Sequence, residues 1–433
     1  MPINSTRTDT RPLQLCIWAL VCWASAPAHS SDPPLTLAQA QTMAVARSRQ
    51  IASQDLAVLS SQEMAVSAGQ LPDPVLKLGI DNLPINGADR LSLTDDFMTM
   101  RRVGVMQEIT STDKRRARAD IYERTADKTR AEKSVITAAI QRDTALAWLD
   151  TYYAEKMAAA IKDQVTQSRF AIEAAESAYR AGRSGQSDVL AARSALALIE
   201  DRASEIQQKA TSARTVLARW TGNGLDSELA DPPEMEAIRM NPVLLENQLE
   251  QHPQIAVMNQ QISLAEADAR LAQANRNTDW SVGLAYQQRS SAYSNMISIE
   301  LSIPIQWDQG NRQNRELRAK QAIVNQAIAE RDEVLREHVA QTRAMLSEWQ
   351  NDRHRLIRFE SELLPLAAER IAAVLAAYRS GKASLTDVLA ARRDEIDVRI
   401  QSLQLKNETA RLWAQLEFLT PTNPGAALNW ELP

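Results

Sequence analysis

The chain has 433 residues, a net charge of −5, and 24% charged against 44% hydrophobic residues, of which few are aromatic. The mild acidity gives no reason to expect a nucleic-acid partner, and beyond residue 30 no stretch approaches the roughly 18 apolar residues of a membrane helix. Abundant alanine and charge, with only 12 glycines, point to long helices rather than one compact globule.

Residues 1–28 read as a secretory signal peptide. Arg7 and Arg11 precede the apolar run Leu13–Ala24, and Ala26-Pro27-Ala28 offers small residues for cleavage. The run is too short for a transmembrane anchor. Cys22 leaves open an alternative, cleavage before a lipid-bearing cysteine, although Val21 stands where a small residue is expected. Both cysteines, Cys16 and Cys22, lie in this segment, so a mature chain starting near His29 needs no disulfide.

A helical pattern covers Leu35–Gly69, with a break near Arg49, and Leu71-Pro-Asp-Pro ends it. Val75–Asp81 alternates like a strand. Asn82–Met100 is a loop, and Val103–Ile109 is a second strand, so the first hairpin spans 75–109. Asp113-Lys-Arg-Arg opens a helix that runs to Ala181. Another runs from Asp188 to Trp220, and Thr221–Asn241, with Gly222, Gly224, Pro232 and Pro233, is an irregular connector. After further helix, Trp280, Val282, Leu284 and Tyr286 alternate with small or polar residues. The loop Arg289–Asn295 and the strand Ile297–Ile305 complete a second hairpin, 280–305. Period-two patterning with one apolar and one polar face fits a barrel wall with lipid outside and water inside; a half-buried soluble hairpin alternates in the same way. Two hairpins supply four strands, too few to close, so closure requires several copies of the chain. Asn311–Ser380 is a nearly unbroken helical pattern. Ile328, Leu335, Val339, Leu346, Trp349, Leu356 and Leu363 follow a coiled-coil rhythm over a length of roughly 100 Å, and Pro365 marks a kink.

The chain repeats itself. Ala178–Arg193 (AYRAGRSGQSDVLAAR) and Ala377–Arg392 (AYRSGKASLTDVLAAR) are identical at ten of sixteen positions. Each reads as a tight helical hairpin. Gly182 and Gly381 suit the left-handed position past a helix end. Ser187 and Thr386 are read as N-caps, and Asp188 and Asp387 fall in the first turn of the next helix, where the dipole favours a carboxylate. Independent hairpins with similar caps would not also place Tyr179 and Tyr378 nine residues before the aspartates. Weaker echoes pair Ser48–Ile51 with His252–Ile255 and Gly79 with Gly283. The expected organisation is a first structural repeat over 29–230, with its tip at 182–188, and a second over 231–433, with its tip at 381–387.

In these turns, in the strand hairpins and in the repeat, the chain resembles the TolC-like outer-membrane factors, exit ducts of tripartite efflux and secretion systems in Gram-negative bacteria. The resemblance implies a mainly α fold with a small β part: a homotrimer whose long antiparallel helices form a periplasmic α-barrel, and whose four strands per chain build a 12-stranded outer-membrane β-barrel. It also implies a periplasmic adaptor (membrane fusion) protein, an inner-membrane pump of the resistance–nodulation–division class and outer-membrane lipid as partners. Leu71-Pro-Asp-Pro, Gly79-Ile-Asp-Asn-Leu-Pro and the strand leading into Asp113-Lys-Arg-Arg look like the branch that exports cobalt, zinc and cadmium or copper and silver. A duct for drugs or for type I protein secretion is the alternative within transport. A periplasmic coiled-coil protein without a pore is the alternative outside it.

By the same resemblance, Asp188, Asp387, Tyr179 and Tyr378 are candidates for the periplasmic gate, and Gly182, Arg183, Ser187, Gly381, Lys382 and Thr386 for the adaptor-docking tips. Some relatives carry a second acid where Ala191 and Ala390 stand, so a single carboxylate layer is expected. Helix capping explains both aspartates as well. Nothing reads as catalytic, and no cofactor is expected. His252, His338 and His354 read as isolated, so no metal site is expected. Met98, Met100 and Met106 cluster near the first hairpin; thioethers suit Cu(I), but packing or lipid contact accounts for them more simply. Asp113-Lys-Arg-Arg and Arg312, Arg315 and Arg318 are read as a solvated or headgroup-facing collar, or as an electrostatic ring at the barrel–helix junction.

Overall fold

The computed structural model describes residues 33–222, 227–241 and 244–421. The signal segment 1–28, with Cys16 and Cys22, and Gly224 of the connector lie outside the described residues. The chain is mainly helical, with one small sheet. No described helix is long and apolar enough to cross a membrane.

Two short helices open the fold, α1 (Leu37–Arg47) and α2 (Arg49–Ala68). Thr36 and Gln39 form a capping box at the start of α1. The expected break falls at Ser48, which leaves the helical region (φ −65°, ψ 115°) and caps α2 through its hydroxyl. The strands are β1 (Val75–Asp81), β2 (Met100–Ile109), β3 (Trp280–Gln288) and β4 (Met296–Ser302). They form one antiparallel sheet in the order β1-β2-β3-β4. β2 starts three residues before its predicted bound, because Arg101 and Arg102 pair on both sides, with β1 and with β3. β4 stops short of its predicted end, since pairing with β3 ends at Ser302.

The register sorts the faces. Leu76, Leu78, Val103, Val105, Leu284 and Ile299 share one face, and all are exposed. Lys77, Arg102, Glu108 and Glu300 share the other, where Arg102 pairs with Asp81 at 3.4 Å and lies over Gly79. β1 and β4 keep free edges.

The helices carry the length. α3 (Thr112–Arg180, 69 residues) is roughly 100 Å long. It packs against α2, α4 (Gln186–Thr221), α6 (Pro253–Ala274) and α9 (Leu385–Glu417). The short α5 (Leu245–Glu250) precedes α6, and α7 (Gln313–Arg358) packs against α6 and α9. Between α7 and α8 (Leu364–Arg379), Phe359–Leu363 form a π turn closed by the Leu364 N–H on the Phe359 carbonyl. The expected kink therefore takes this form: Pro365 offers no N–H, and its ring would crowd the Ser361 carbonyl, so the ladder is loosened just before it.

The main core lies midway along α3. Trp148, Leu149, Leu217, Trp349, Trp413 and Leu416 meet there from α3, α4, α7 and α9. The indole N–H of Trp148 donates to the Leu35 carbonyl at 3.0 Å, and that of Trp413 to the Ala237 carbonyl at 3.0 Å, so these two buried rings keep their polar edges satisfied, whereas the Trp349 indole N–H has no hydrogen-bond partner among the described residues. The connector is irregular, as expected. Its Leu229 bridges Leu35 in parallel, which ties it to the chain start.

Candidate functional site at the helical tips

Both repeated turns adopt one backbone solution. At the end of α3 the Gly182 N–H donates to the Tyr179 carbonyl (2.9 Å) and the Arg183 N–H to that of Ala178 (2.9 Å). At the end of α8 the Gly381 N–H donates to Tyr378 (3.0 Å) and Lys382 to Ala377 (2.8 Å). These are paired Schellman closures. Gly182 and Gly381 have φ of 69° and 73°, the left-handed region expected of them. A Cβ at either would meet nothing within 4 Å, so a larger residue is opposed by backbone strain alone.

The next helices start earlier than Ser187 and Thr386 suggest. The N-caps are Gly185 and Ser384, and the two hydroxyl residues sit inside the first turn. Asp387 is the third helical residue. Its carboxylate accepts from the Ser384 N–H (2.8 Å) and hydroxyl (2.7 Å), while the Ser384 hydroxyl accepts from the Asp387 N–H (3.2 Å). This capping box was legible in Ser384-Leu-Thr-Asp387, where the hydroxyl three residues before the acid is the signal. Asp188 reaches back in the same way to the Gly185 N–H at 3.2 Å. The Ser384 hydroxyl and N–H hold the Asp387 carboxyl below the usual carboxylate range, so it stays charged in mild acid.

One apolar cluster joins the two tips. Ala175 of α3, Val189 and Ala192 of α4 and Leu385 of α9 are buried together, with Ile172, Tyr378 and Leu389 against them. The two tyrosines therefore differ: Tyr378 packs into this cluster, whereas Tyr179 is 48% exposed. Asp387, Gly182, Arg183, Ser187, Gly381, Lys382 and Thr386 are all exposed, and Asp188 is half-buried. Above the tips, Arg193 pairs with Glu176 at 2.7 Å and Arg370 with Asp394 at 2.8 Å. The arrangement presents acidic helix starts and basic turn residues at one end of the chain.

Away from the tips, the isolated histidines and the solvated Asp113-Lys-Arg-Arg run need correction, the second in part. His252 and His338 are not isolated: their ring centroids are 4.6 Å apart. His252 is buried and caps α6, its Nδ1 accepting from the Gln254 N–H at 3.2 Å. Burial, and then His338, push its pKa down to about 4. Both rings line a cavity of about 350 Å³ with Arg142, Asp143, Met345 and Phe418. Among the described residues no three or more His, Cys, Asp or Glu side chains form a group that would hold a metal. Met100 and Met106 are half-buried, and the register puts them on the polar face of the sheet, opposite Asp81 and Val75, so packing accounts for them. Asp113-Lys-Arg-Arg is solvated only in part: Asp113 and Arg116 are exposed, but the two residues between them are held by the protein. Lys114 is buried and donates to Asp279 at 2.8 Å, the Ser111 N–H donates to the same carboxylate at 3.2 Å, and Arg115 donates to the Gly69 carbonyl at 3.3 Å. These contacts clamp the start of α3 to the entry of β3, and no local pattern announces a partner this distant in sequence. Arg312, Arg315 and Arg318 are exposed, as expected.

Residues 244–421 match the model of the family described as outer membrane efflux protein. The cobalt-zinc-cadmium resistance protein CzcC of Cupriavidus metallidurans is 23% identical over 384 residues, 87% of each chain. Among solved structures, the outer-membrane channel OprN superposes with a TM-score of 0.73 at 17% identity, over 89% of this chain and 90% of that one. CusC, a protein described as forming a transmembrane channel, superposes with a TM-score of 0.70 at 15% identity, over 89% and 92%. With its sheet of one apolar and one charged face carried on helices of this length, the chain shares the fold of these outer-membrane channels and, over residues 244–421, is similar to the outer membrane efflux protein family.

Proposed function

We propose that this protein is the passive exit duct of a tripartite efflux system for heavy-metal cations. The observation that carries the duct is the sheet: one face largely exposed and nearly all apolar, the other carrying the charged residues, and both edges free. Free edges with an apolar outer face require further copies of the chain and lipid around them. Three copies would close twelve strands and set the helices side by side as a tube through the periplasm. The work of export then belongs to an inner-membrane pump, and an adaptor protein would dock at the exposed tip residues Arg183, Ser187, Lys382 and Thr386. The tip aspartates would gather about the threefold axis as a cation-attracting ring at the periplasmic entrance, as acidic rings do in other channels. The same two carboxylates cap their helices, so gate and cap are one feature.

The cargo follows from the similarity to the cobalt-zinc-cadmium resistance protein. Among the described residues no cluster selects a metal, so selection would lie with the pump. Deletion of the gene should sensitise cells to at least one of zinc, cobalt, cadmium, copper and silver, with rescue by the intact chain. Sensitisation to hydrophobic drugs alone would transfer the duct to drug efflux. A monomer by light scattering in mild detergent would remove the duct itself.

A further inference from the structure

The two neighbouring arginines of β2 are separated by the pleat. Arg102 turns to the polar face and pairs with Asp81. Arg101 turns to the apolar face, opposite Ile80 of β1 and Gln288 of β3, in line with Val103 and Val105. It is exposed, forms no ion pair among the described residues, and is the one charged strand residue on that face. A charge on a lipid-facing surface is unfavourable at the bilayer centre and tolerated only near the rim.

Its depth follows from the strand. The helices leave the sheet at the Ile109 and Trp280 end, where these two residues pair, and Trp307 beyond β4 is 88% exposed. Tryptophan suits a membrane–water boundary. Arg101 lies eight positions along β2 from Ile109, about 27 Å of strand at about 3.4 Å per residue. A tilt of about 40° reduces this to a rise of roughly 20 Å, against an apolar band about 25 Å tall. Arg101 therefore reaches the rim of the band on the side away from the helices, the outer leaflet. Its long stem spans the remaining apolar depth while the guanidinium reaches the headgroups.

We propose that Arg101, with the Gln288 amide beside it, binds the phosphate of a phosphorylated lipid headgroup in the outer leaflet, the chemistry that lipopolysaccharide offers there. The planar guanidinium fork matches phosphate oxygens with two parallel hydrogen bonds. Such a contact converts a charge that burdens the lipid face into a fixed point between the duct and its leaflet. The inference rests on the reading of this sheet as a barrel wall.

The test compares the full-length wild type, Arg101→Gln and Arg101→Lys, purified in mild detergent and exchanged with lipopolysaccharide, its chemically dephosphorylated form, or inorganic phosphate. Bound lipid is counted by native mass spectrometry. Wild type should retain lipopolysaccharide about fivefold more tightly than Arg101→Gln, the fold-change for about 1 kcal/mol per arginine at an anionic lipid surface. Arg101→Lys should retain most of that margin. Dephosphorylated lipid should bind wild type no better than lipopolysaccharide binds Arg101→Gln, and inorganic phosphate should not displace the lipid. Equal retention by Arg101→Gln, equal binding of the dephosphorylated form, or displacement by millimolar phosphate overturns the proposal. The two lipid arms on wild type decide it even where Arg101→Gln fails to fold. Heat-dependent gel mobility is read in parallel: its absence in wild type faults the barrel, whereas its presence with unchanged lipid retention faults only Arg101.

Discussion

Protonation of His252 should loosen the middle of this molecule in mild acid. The ring is buried at the start of α6, beside His338, and accepts the Gln254 N–H through Nδ1. Its pKa falls from 6.5 to about 4, chiefly through burial and then through His338. The folded chain thus holds a neutral ring at pH values where the unfolded chain has already taken up a proton. Stability is full above the unfolded value, near pH 6.5, and is lost progressively as pH falls to about 4. At 1.36 kcal/mol per pKa unit the loss approaches about 3 kcal/mol per chain at the acid end, as an upper bound. The charges lining the adjoining cavities, Arg142 and Asp143 on one side and Arg239 and Glu417 on the other, are each paired within their own couple, so neither carboxylate is free to receive the new cation. His252→Asn separates titration from capping, since asparagine keeps an N-cap acceptor and cannot titrate. Rates of thermal inactivation of the detergent-solubilised protein, taken from pH 7.5 to 4.5, should steepen for wild type below pH 6.5 and stay flatter for the variant. Parallel profiles for the two proteins would refute this account of the buried ring.

Three further outcomes are expected. Gly182→Val and Gly381→Val force a β-branched residue to positive φ at about 1–2 kcal/mol each, with open space around each site; adaptor cross-linking should fall while heat-dependent mobility stays intact. Asp387→Asn should reduce cation selectivity and block by trivalent cations in planar bilayers with heat-dependent mobility retained; unaltered selectivity would leave the aspartate its cap alone. Lys114→Met leaves the half-buried Asp279 carboxylate with the Ser111 N–H alone and should cost about 1–3 kcal/mol in a denaturation assay, whereas the double change with Asp279→Asn, which keeps that acceptor without the charge, should recover part of it.

Local periodicity settles much of this protein. Val75–Asp81 reads as a strand because alternation is a property of neighbouring residues, and β1 has those bounds. The glycines of Ala178–Arg193 and Ala377–Arg392 read as helix ends because only glycine adopts positive φ freely, and both do. Boundaries are less legible: Ser187 and Thr386 read as caps because a hydroxyl beside an aspartate fits one, but the cap is decided by which residue leaves helical dihedrals, Gly185 and Ser384. What remained hidden depends on long-range packing. Lys114 and Asp279 are 165 residues apart, and both look like surface charges until α3 and β3 are brought together. His252 and His338 look solitary until α6 lies along α7. Tyr179 and Tyr378 occupy the same place in the same motif, yet one is exposed and the other packs between the tips. Sequence by itself determined the elements, their faces and their turns, because these follow from residues within a few positions of one another. Tertiary structure alone decided which charges are buried and which repeated residue meets the core, because desolvation depends on what the distant chain places on top of each side chain.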